Sequence, residues 1–359
     1  MENEAIIVIN PGSTSTKVAF YNRQGELSSA NIDHPQSELQ QFERIADQLP
    51  YRHKKIKLYL DEYIKNNSVK VIGIVGRGGI VKPVSGGTYR INEEFLYDAR
   101  SAQYGEHASN LGSLLADKLK KEFGLEECFT VDPVSTSRLS EVAKISGVPC
   151  IVRDGRAHTL NVKMTARKLS KIYQVPFNES NFVVAHLGGG ISIALVSGGR
   201  IVDVNDGLLG MGPFSPNRAG ALPLRGVMEL CYSKPEPEVK KLFSQNSGFK
   251  AYLGTTDVRE VLKMIDNGNK KAELIYDAFV YQVAKEIGAC IAASQGRAQG
   301  IGITGGIAHS KRLTDDLESY VATLADYHVF PGESEMEALA EGFYRMYDGE
   351  EDVLNYPGE

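Results

Sequence analysis

Cysteine is scarce. Four occur in 359 residues (Cys128, Cys150, Cys231, Cys290), far apart and never as a Cys-x-x-Cys pair. That argues against a zinc site or a disulfide framework and fits a reducing compartment. No uncharged apolar run approaches the ~20 residues a membrane helix needs, and no basic stretch followed by an apolar one opens the chain. A cytoplasmic protein with no membrane partner is expected. Positive charge is not in excess either. The formal net charge is -5, which argues against a nucleic-acid surface but leaves small anionic substrates open, since Arg and Lys can cluster locally. There is no GxxxxGK[ST], so a Walker P-loop is excluded. No GxGxxG follows a strand and opens a helix, so a dinucleotide fold has little support. No Pro/Ser-rich linker or low-complexity segment divides the chain.

What is present is a full globular composition, 42% hydrophobic and 24% charged. The length suits two domains or one duplicated one. The opening stretch "IIVINPGSTSTKVAFY" (Ile6 to Tyr21) flanks a knot of Asn, Pro, Gly, Ser and Thr with two apolar strands, Ile6–Ile9 and Val18–Tyr21. It reads as a hairpin with a polar turn or as a loop that wraps a phosphate. A polar helical region follows, broken at Pro50 and resuming to about Asn67. "VKVIGIVGRGG" is a buried strand, Val69–Val75, opening into glycines. Gly105 to Phe123 has helical spacing, "FTVDP" is a short strand ending at Asp132, "TSRLSEVAKISG" a helix stopped by Gly147, and "VPCIV" another strand.

The opening pattern then recurs. "FVVAHLGGGISIALVSGGRIVDV" (Phe182 to Val204) again runs from an apolar strand through a polar residue and glycines to a second strand, a turn and a third strand. Aligning Gly12 with Gly188 puts Asn10 on His186, 176 residues away and about half the chain. A duplication is expected, with the boundary near residue 150. Residues 1–150, joined by the terminal helix of about 340–359, form one domain and 151–339 the other. Long helical stretches fill the second half, notably Lys270 to Ser294. "GIGITGGIAHS" adds a strand, a Gly-Gly pair and a helix start, and the chain ends in the helical "ESEMEALAEGFYRMYD". Strands interleaved with helices mean α/β.

Three strand-plus-glycine elements therefore occur: Gly12-Ser13-Thr14-Ser15, Gly188-Gly189-Gly190 and Thr304-Gly305-Gly306. Glycine lets backbone N–H groups approach phosphate oxygens. Ser13 and Ser15 add hydroxyl donors and Lys17 a point charge. One such loop is more often a turn. Three, two of them related by duplication, point to a clamp around a nucleotide.

"VINPGSTSTK" resembles the N-terminal motif of the acetate/butyrate kinase family. "GRGGIVKPVSGGTY", "HASNLG", "FTVDP", "AHTLNVKMTAR", "HLGGGISI", "GPFSPNRAGALP", "ITGGI" and "PGESEMEALAEG" follow in family order across essentially the whole chain. "GPFSPNRAGALP" with "GRGGIVKP" is similar to the butyrate branch. The resemblance implies the duplicated ribonuclease-H-like fold of actin, sugar kinases and heat-shock ATPases, with ATP and a short-chain acid in a central cleft, Mg²⁺ as cofactor, and a homodimer or higher homo-oligomer. It places Arg77 and Arg218 at the substrate-clamping arginines and His158 at a transition-state donor. It implies nucleotide contacts at Asn10, Gly12, Ser13, Ser15, Lys17, His186, Gly188, Gly189, Gly190, Gly305 and Gly306. Gly189 departs from the acetate branch, where Asn is usual. Asp132 and Glu335 match metal-associated acids, with Glu333 and Glu337 as near neighbours, and His107 is a further conceivable contact.

Each has a bland alternative. Asp132 can cap the following helix, His158 can be an ordinary half-buried histidine, and His186 can fix its own loop. Arg77, ringed by Gly76, Gly78 and Gly79, and Arg218, between Pro216 and Gly220, are less readily explained as surface groups. Where acetate kinases wall their pocket with bulky residues, Gly78, Gly79 and Ala157 stand here. If they line the acyl pocket, room is left for methylenes worth about 0.8 kcal/mol each. Three activities compete: a butyrate or isobutyrate kinase forming acyl phosphate, a kinase for acetate, propionate or a sugar, and an actin-like ATPase driving partner binding. A sugar hydroxyl needs a base, which Asp132 could supply, but a carboxylate needs none, so two arginines suit a carboxylate acceptor better than a sugar.

Overall fold

A computed structural model of the chain describes residues 3–136 and 139–357. The chain forms two compact units, Met1–Thr136 with Ser334–Glu359 and Ser137–Glu333. The passage from one to the other thus falls at 136–137, earlier than the boundary near 150 read from the repeat. In the first unit lie β1 (Asn3–Pro11), β2 (Ser15–Asn22), β3 (Gly25–Asp33), β4 (Val69–Gly76), β5 (Thr88–Arg90) and β6 (Phe129–Val131). The second holds β7 (Asn181–Leu187), β8 (Ile191–Ser197), β9 (Arg200–Val204), β10 (Gly300–Gly305) and β11 (Asp326–Pro331), after which β12 (Leu354–Asn355) rejoins the first.

The two sheets run β12-β5-β6-β4-β1-β2-β3 and β11-β10-β7-β8-β9. Within each, an antiparallel three-strand meander is joined by parallel pairing of its first strand to a later one, β1 with β4 and β7 with β10. The duplication seen in the glycine hairpins is therefore a duplication of topology.

Alternation builds the second unit's two cores. Val183, Ala185, Leu187, Ile191 and Ile193 pack on one face against the helix Lys270–Ala293. Phe182, Val184, Ala194 and Val196 pack on the other against the helix Thr159–Tyr173. Such two-sided burial explains the near-continuous apolar runs of these strands. In the first unit Ile7, Ile9, Val18 and Phe20 share a core with the helices Leu49–Asn67 and Asn110–Glu122. The helix Glu335–Tyr347 covers the opposite face. It approaches closely because Gly73 and Gly342 lack side chains: a Cβ there would stand 2.4 Å from Phe343 and 2.5 Å from Val131, respectively.

Two local expectations are overturned. Pro50 does not break a helix but sits in the first turn of Leu49–Asn67, where the missing N–H has no intrahelical partner to lose. The apolar stretch after residue 138 is not a long helix followed by a strand. Only Glu141–Lys144 is helical, and Ile151 and Val152 lie 60% and 65% exposed outside any strand. Ser137 and Arg138, within the helix read from sequence, lie outside the described residues.

Candidate active site

In the first unit the candidate residues gather at the carboxyl ends of parallel strands, where open α/β sheets bind ligands. Asn10 lies near the end of β1, Arg77 directly after β4 and Asp132 directly after β6. The Arg77 backbone N–H donates to the Ile9 carbonyl at 2.8 Å, continuing the β1–β4 ladder and setting Arg77 beside Asn10. Arg77 Nη1 donates to Glu335 Oε2 at 2.8 Å and to Asn10 Oδ1 at 3.1 Å, while Asn10 Nδ2 donates to the same Glu335 oxygen at 2.7 Å. Glu335 is buried at the first position of its helix. Of the three neighbouring acids, it is the one that meets Arg77. Arg77 is left with an Nη2 that has no hydrogen-bond partner among the described residues, and its Nε is buried and unpaired.

Among the described residues Asp132 is followed by a 3₁₀ turn, Val134–Thr136, and not by an α-helix. Its Oδ1 accepts from the Gly87 N–H at 2.9 Å, and its own N–H donates to the Gly87 carbonyl at 2.9 Å. Its backbone has φ 41°, a left-handed conformation that a buried non-glycine residue holds only under strain, and such strain collects at functional sites. His107 bonds Ser109 through Nδ1 at 2.8 Å. Part of its surface is open, yet crowding by its neighbours, then the Arg77 charge, lower its pKa.

The opening stretch forms the β1–β2 hairpin loop. Ser13 and Lys17 are exposed, Gly12 and Ser15 half-buried. Among the described residues the Ser13 and Ser15 hydroxyls and the Lys17 ammonium have no hydrogen-bond partner. A residue the sequence did not single out stands behind them: Arg52, whose guanidinium meets the carbonyls of Gly12, Ser13 and Ser15.

The second unit brings its own set together. His186, buried near the end of β7, stacks on His158 with ring centroids 4.0 Å apart. Ser192 Oγ accepts from the His158 backbone N–H at 3.2 Å and bonds ring Nδ1 at 2.9 Å. Gly190 lies between: a Cβ there would stand 2.4 Å from Arg218 Nη1 and 3.0 Å from His158 Cε1. Arg218 Nη1 donates to the Gly207 carbonyl, and its Nε is buried without a partner among the described residues. Burial lowers its pKa, Asp206 opposing the shift. Ser215 ties the loops, donating to the Gly189 carbonyl at 2.7 Å and accepting from the Arg218 backbone N–H at 3.1 Å. Gly188 pairs with Gly190 across the turn. Gly305 has φ 94°, and a Cβ there would meet the Leu187 carbonyl at 2.3 Å. Gly189 and Gly306 are exposed with open space where a side chain would stand.

Gly78 and Gly79 are buried. A Cβ on Gly78 would meet Thr130 Oγ1 at 2.7 Å and Pro133 at 2.8 Å, and one on Gly79 would meet Asn110 Oδ1 at 2.1 Å. The room released by these glycines is filled from within their own unit, so they explain close packing rather than spare volume. Ala157, half-buried, packs beside the Thr159–Tyr173 face of its sheet.

The chain resembles known proteins along nearly all its length. Residues 147–323 match the acetokinase family. It is 42% identical over 351 residues to "Probable butyrate kinase 2" of Caldanaerobacter subterraneus subsp. tengcongensis, covering 96% of this chain and 98% of that protein. With "Butyrate kinase 2" of Clostridium acetobutylicum it shares 39% over 354 residues, 98% of this chain and 99% of the relative. Among solved structures, acetate kinase of Porphyromonas gingivalis superposes with a TM-score of 0.76 at 16% identity, over 95% of this chain and 99% of that one. A propionate kinase of Francisella tularensis subsp. tularensis does so at 0.72 and 19%, with the same coverage. At those identities the structures show a shared fold, the one expected from the sequence. By its relatives the chain belongs to the acetokinase family, among the butyrate kinases.

Proposed function

We propose that the protein transfers the γ-phosphoryl group of ATP to the carboxylate of a short-chain acid, butyrate or a branched four-carbon acid such as isobutyrate, giving an acyl phosphate and ADP reversibly. The observation that carries this reading is the character of the candidate groups. Arg77 and Arg218 each keep guanidinium donors unused among the described residues, and each is flanked by glycines in its loop. That is a receptor for anions, with arginines where a hydroxyl acceptor would need a base. The names of the relatives favour a four-carbon acid. Gly78 and Gly79 do not.

A carboxylate oxygen attacks the γ-phosphorus, the bond from that phosphorus to the β–γ bridging oxygen breaks, and its electron pair leaves on ADP. No proton moves. The obstacles are repulsion between anions and charge gathering on the transferred group. Arg77 and Arg218 neutralise that charge, and His158, its ring fixed by Ser192, donates to the phosphoryl oxygens. The Gly12–Lys17 loop holds phosphate with its hydroxyls and Lys17. Asn10, whose amide is spent on Arg77 and Glu335, fixes the arginine more than it touches nucleotide. His186, the Gly188–Gly190 turn and the Gly305–Gly306 pair serve the nucleotide, with Gly189 and Gly306 leaving backbone open to approach.

Mg²⁺, when bound with the nucleotide, supplies charge neutralisation at the phosphates. Asp132 and Glu335 would hold it. Each already gives an oxygen to protein donors. That fits an ion that keeps waters and phosphate oxygens and takes few carboxylates directly. Self-association belongs to the same reading. The helix Leu224–Ser233 buries no residue, leaving Leu224 79% and Tyr232 89% exposed, and light scattering measures the assembly. No helix among the described residues is long and apolar enough to cross a membrane.

Trapping acyl phosphate with hydroxylamine across acetate, propionate, butyrate and isobutyrate tests the activity. Hydroxamate strongest with a four-carbon acid is expected. Strongest signal with acetate would move the protein to the acetate reading, and acid-independent ADP release to the ATPase reading.

A further inference from the structure

Arg52 is 1% exposed, and two local rules oppose it there. It occupies the first turn of the helix Leu49–Asn67, a turn without an acid, where the helix dipole disfavours a cation. It is also out of water with no carboxylate partner among the described residues, and burial pushes its pKa down to about 10. A buried guanidinium persists only if its donors are satisfied. Here neutral oxygens do so. Nη1 donates to the carbonyls of Gly12 at 2.7 Å and Ser15 at 3.1 Å and to Thr16 Oγ1 at 3.2 Å. Nη2 donates to the Ser13 carbonyl at 3.0 Å and to Gln48 Oε1 at 2.8 Å, and Nε to Gln48 Oε1 at 3.0 Å. Thr16 is held in turn by His34, with Oγ1 and Nε2 at 2.8 Å.

A trans peptide sets its C=O and the following N–H on opposite sides. Drawing the Gly12 and Ser13 carbonyls onto Arg52 therefore turns the N–H groups of Ser13 and Thr14 away from it. Both residues are exposed, and neither N–H is bonded among the described residues. Successive outward N–H groups beside a serine hydroxyl make an anion receptor. We propose that Arg52 is the positioning residue of the phosphate loop: from behind, its fork orients the loop carbonyls so that the N–H groups face a phosphate, and its charge adds to the field there. Lysine has the charge without the planar fork and cannot span three carbonyls and Gln48 together. The proposal rests on the reading of this loop as the phosphate holder.

The test is calorimetric titration of ATP and of adenosine into wild type, Lys17→Ala, Arg52→Lys and Gln48→Met. Lys17→Ala should weaken ATP and leave adenosine unchanged, and no effect on ATP would overturn the phosphate-loop reading itself. Arg52→Lys should weaken ATP by about ten- to a hundredfold with adenosine affinity kept and unfolding still cooperative. Gln48→Met, which frees Nε and loosens the fork without removing charge, should lower the ATP-to-adenosine ratio severalfold, and it decides the matter if Arg52→Lys does not fold. If Lys17→Ala weakens ATP while both other variants keep the wild-type ratio, or weaken both ligands equally, Arg52 is a structural arginine and the proposal fails.

Discussion

The two glycine hairpins, β1–β2 and β7–β8, share one topology and solve their loops in opposite ways. In the first, six residues separate Asn10 from its partner Lys17 across the hairpin, and the loop carries its own chemistry in Ser13, Ser15 and Lys17 while Arg52 steadies it from beneath. In the second, five separate His186 from Ser192, and the loop carries almost no side chain. Its glycines admit others: Arg218 and His158 occupy the space beside Gly190. One hairpin loop carries its own polar side chains and the other makes room for those of neighbouring segments. A repeat in sequence thus preserves the strands and leaves the loops free to diverge.

The largest test of that contrast removes the charges next to each site. Arg77→Ala and Arg218→Ala should each lower turnover by ~10²–10³, the scale of losing a preorganised donor. Steady-state kinetics with added guanidine, expected to restore part of the rate, check it. Next is the pair Gly190→Ala and Gly189→Ala. The first pushes a methyl into Arg218 and His158 and should cost on the order of 10² in kcat, since a displacement of about 1 Å is enough. The second meets open space and should stay near wild type. Equal effects would erase the distinction between the loops. Lys17→Ala should then reduce activity while thermal unfolding moves little, because an exposed lysine contributes little to stability. A large shift in unfolding with normal specific activity would make the first hairpin structural.

The smallest effect concerns pH. Burial, then the Arg52 charge, lower the His34 pKa from 6.5 to about 4. The unfolded chain binds this proton first, so His34 favours the fold above the ordinary histidine range. That contribution is lost as pH falls from about 6.5 to about 4, at a slope near 1.4 kcal/mol per unit. His34→Gln should flatten denaturant-measured stability across that window, and an unchanged slope would locate acid sensitivity elsewhere.

Much of this was legible in the sequence because strand alternation and glycine turns are local signals. The hairpins, the strand before Arg77 and the helix Lys270–Ala293 were all readable, and so was the family, from long motifs. Arg52 was not. Within "YRHKK" it looks like one more solvated cation, and only the fold brings the helix start under the loop. The exposed segment around Ile151 misled for the converse reason: β-branched residues read as a strand, but strand formation needs a neighbour to pair with. Gly78 and Gly79 read as missing pocket walls because sequence reports an absent side chain and not what fills its place. Glu335, Glu333 and Glu337 look alike in the sequence, and only the fold shows that Glu335 is the acid paired with Arg77.

In the proposed reaction a carboxylate oxygen of the acid itself attacks the γ-phosphorus. Phosphorus NMR of protein, Mg-ATP and butyrate labelled with heavy oxygen in its carboxyl group tests it most directly. Direct attack gives a new acyl-phosphate resonance carrying the isotope shift of one labelled oxygen on phosphorus, with ADP formed in equal amount. ADP and unlabelled inorganic phosphate appearing at the same rate with and without butyrate would contradict it.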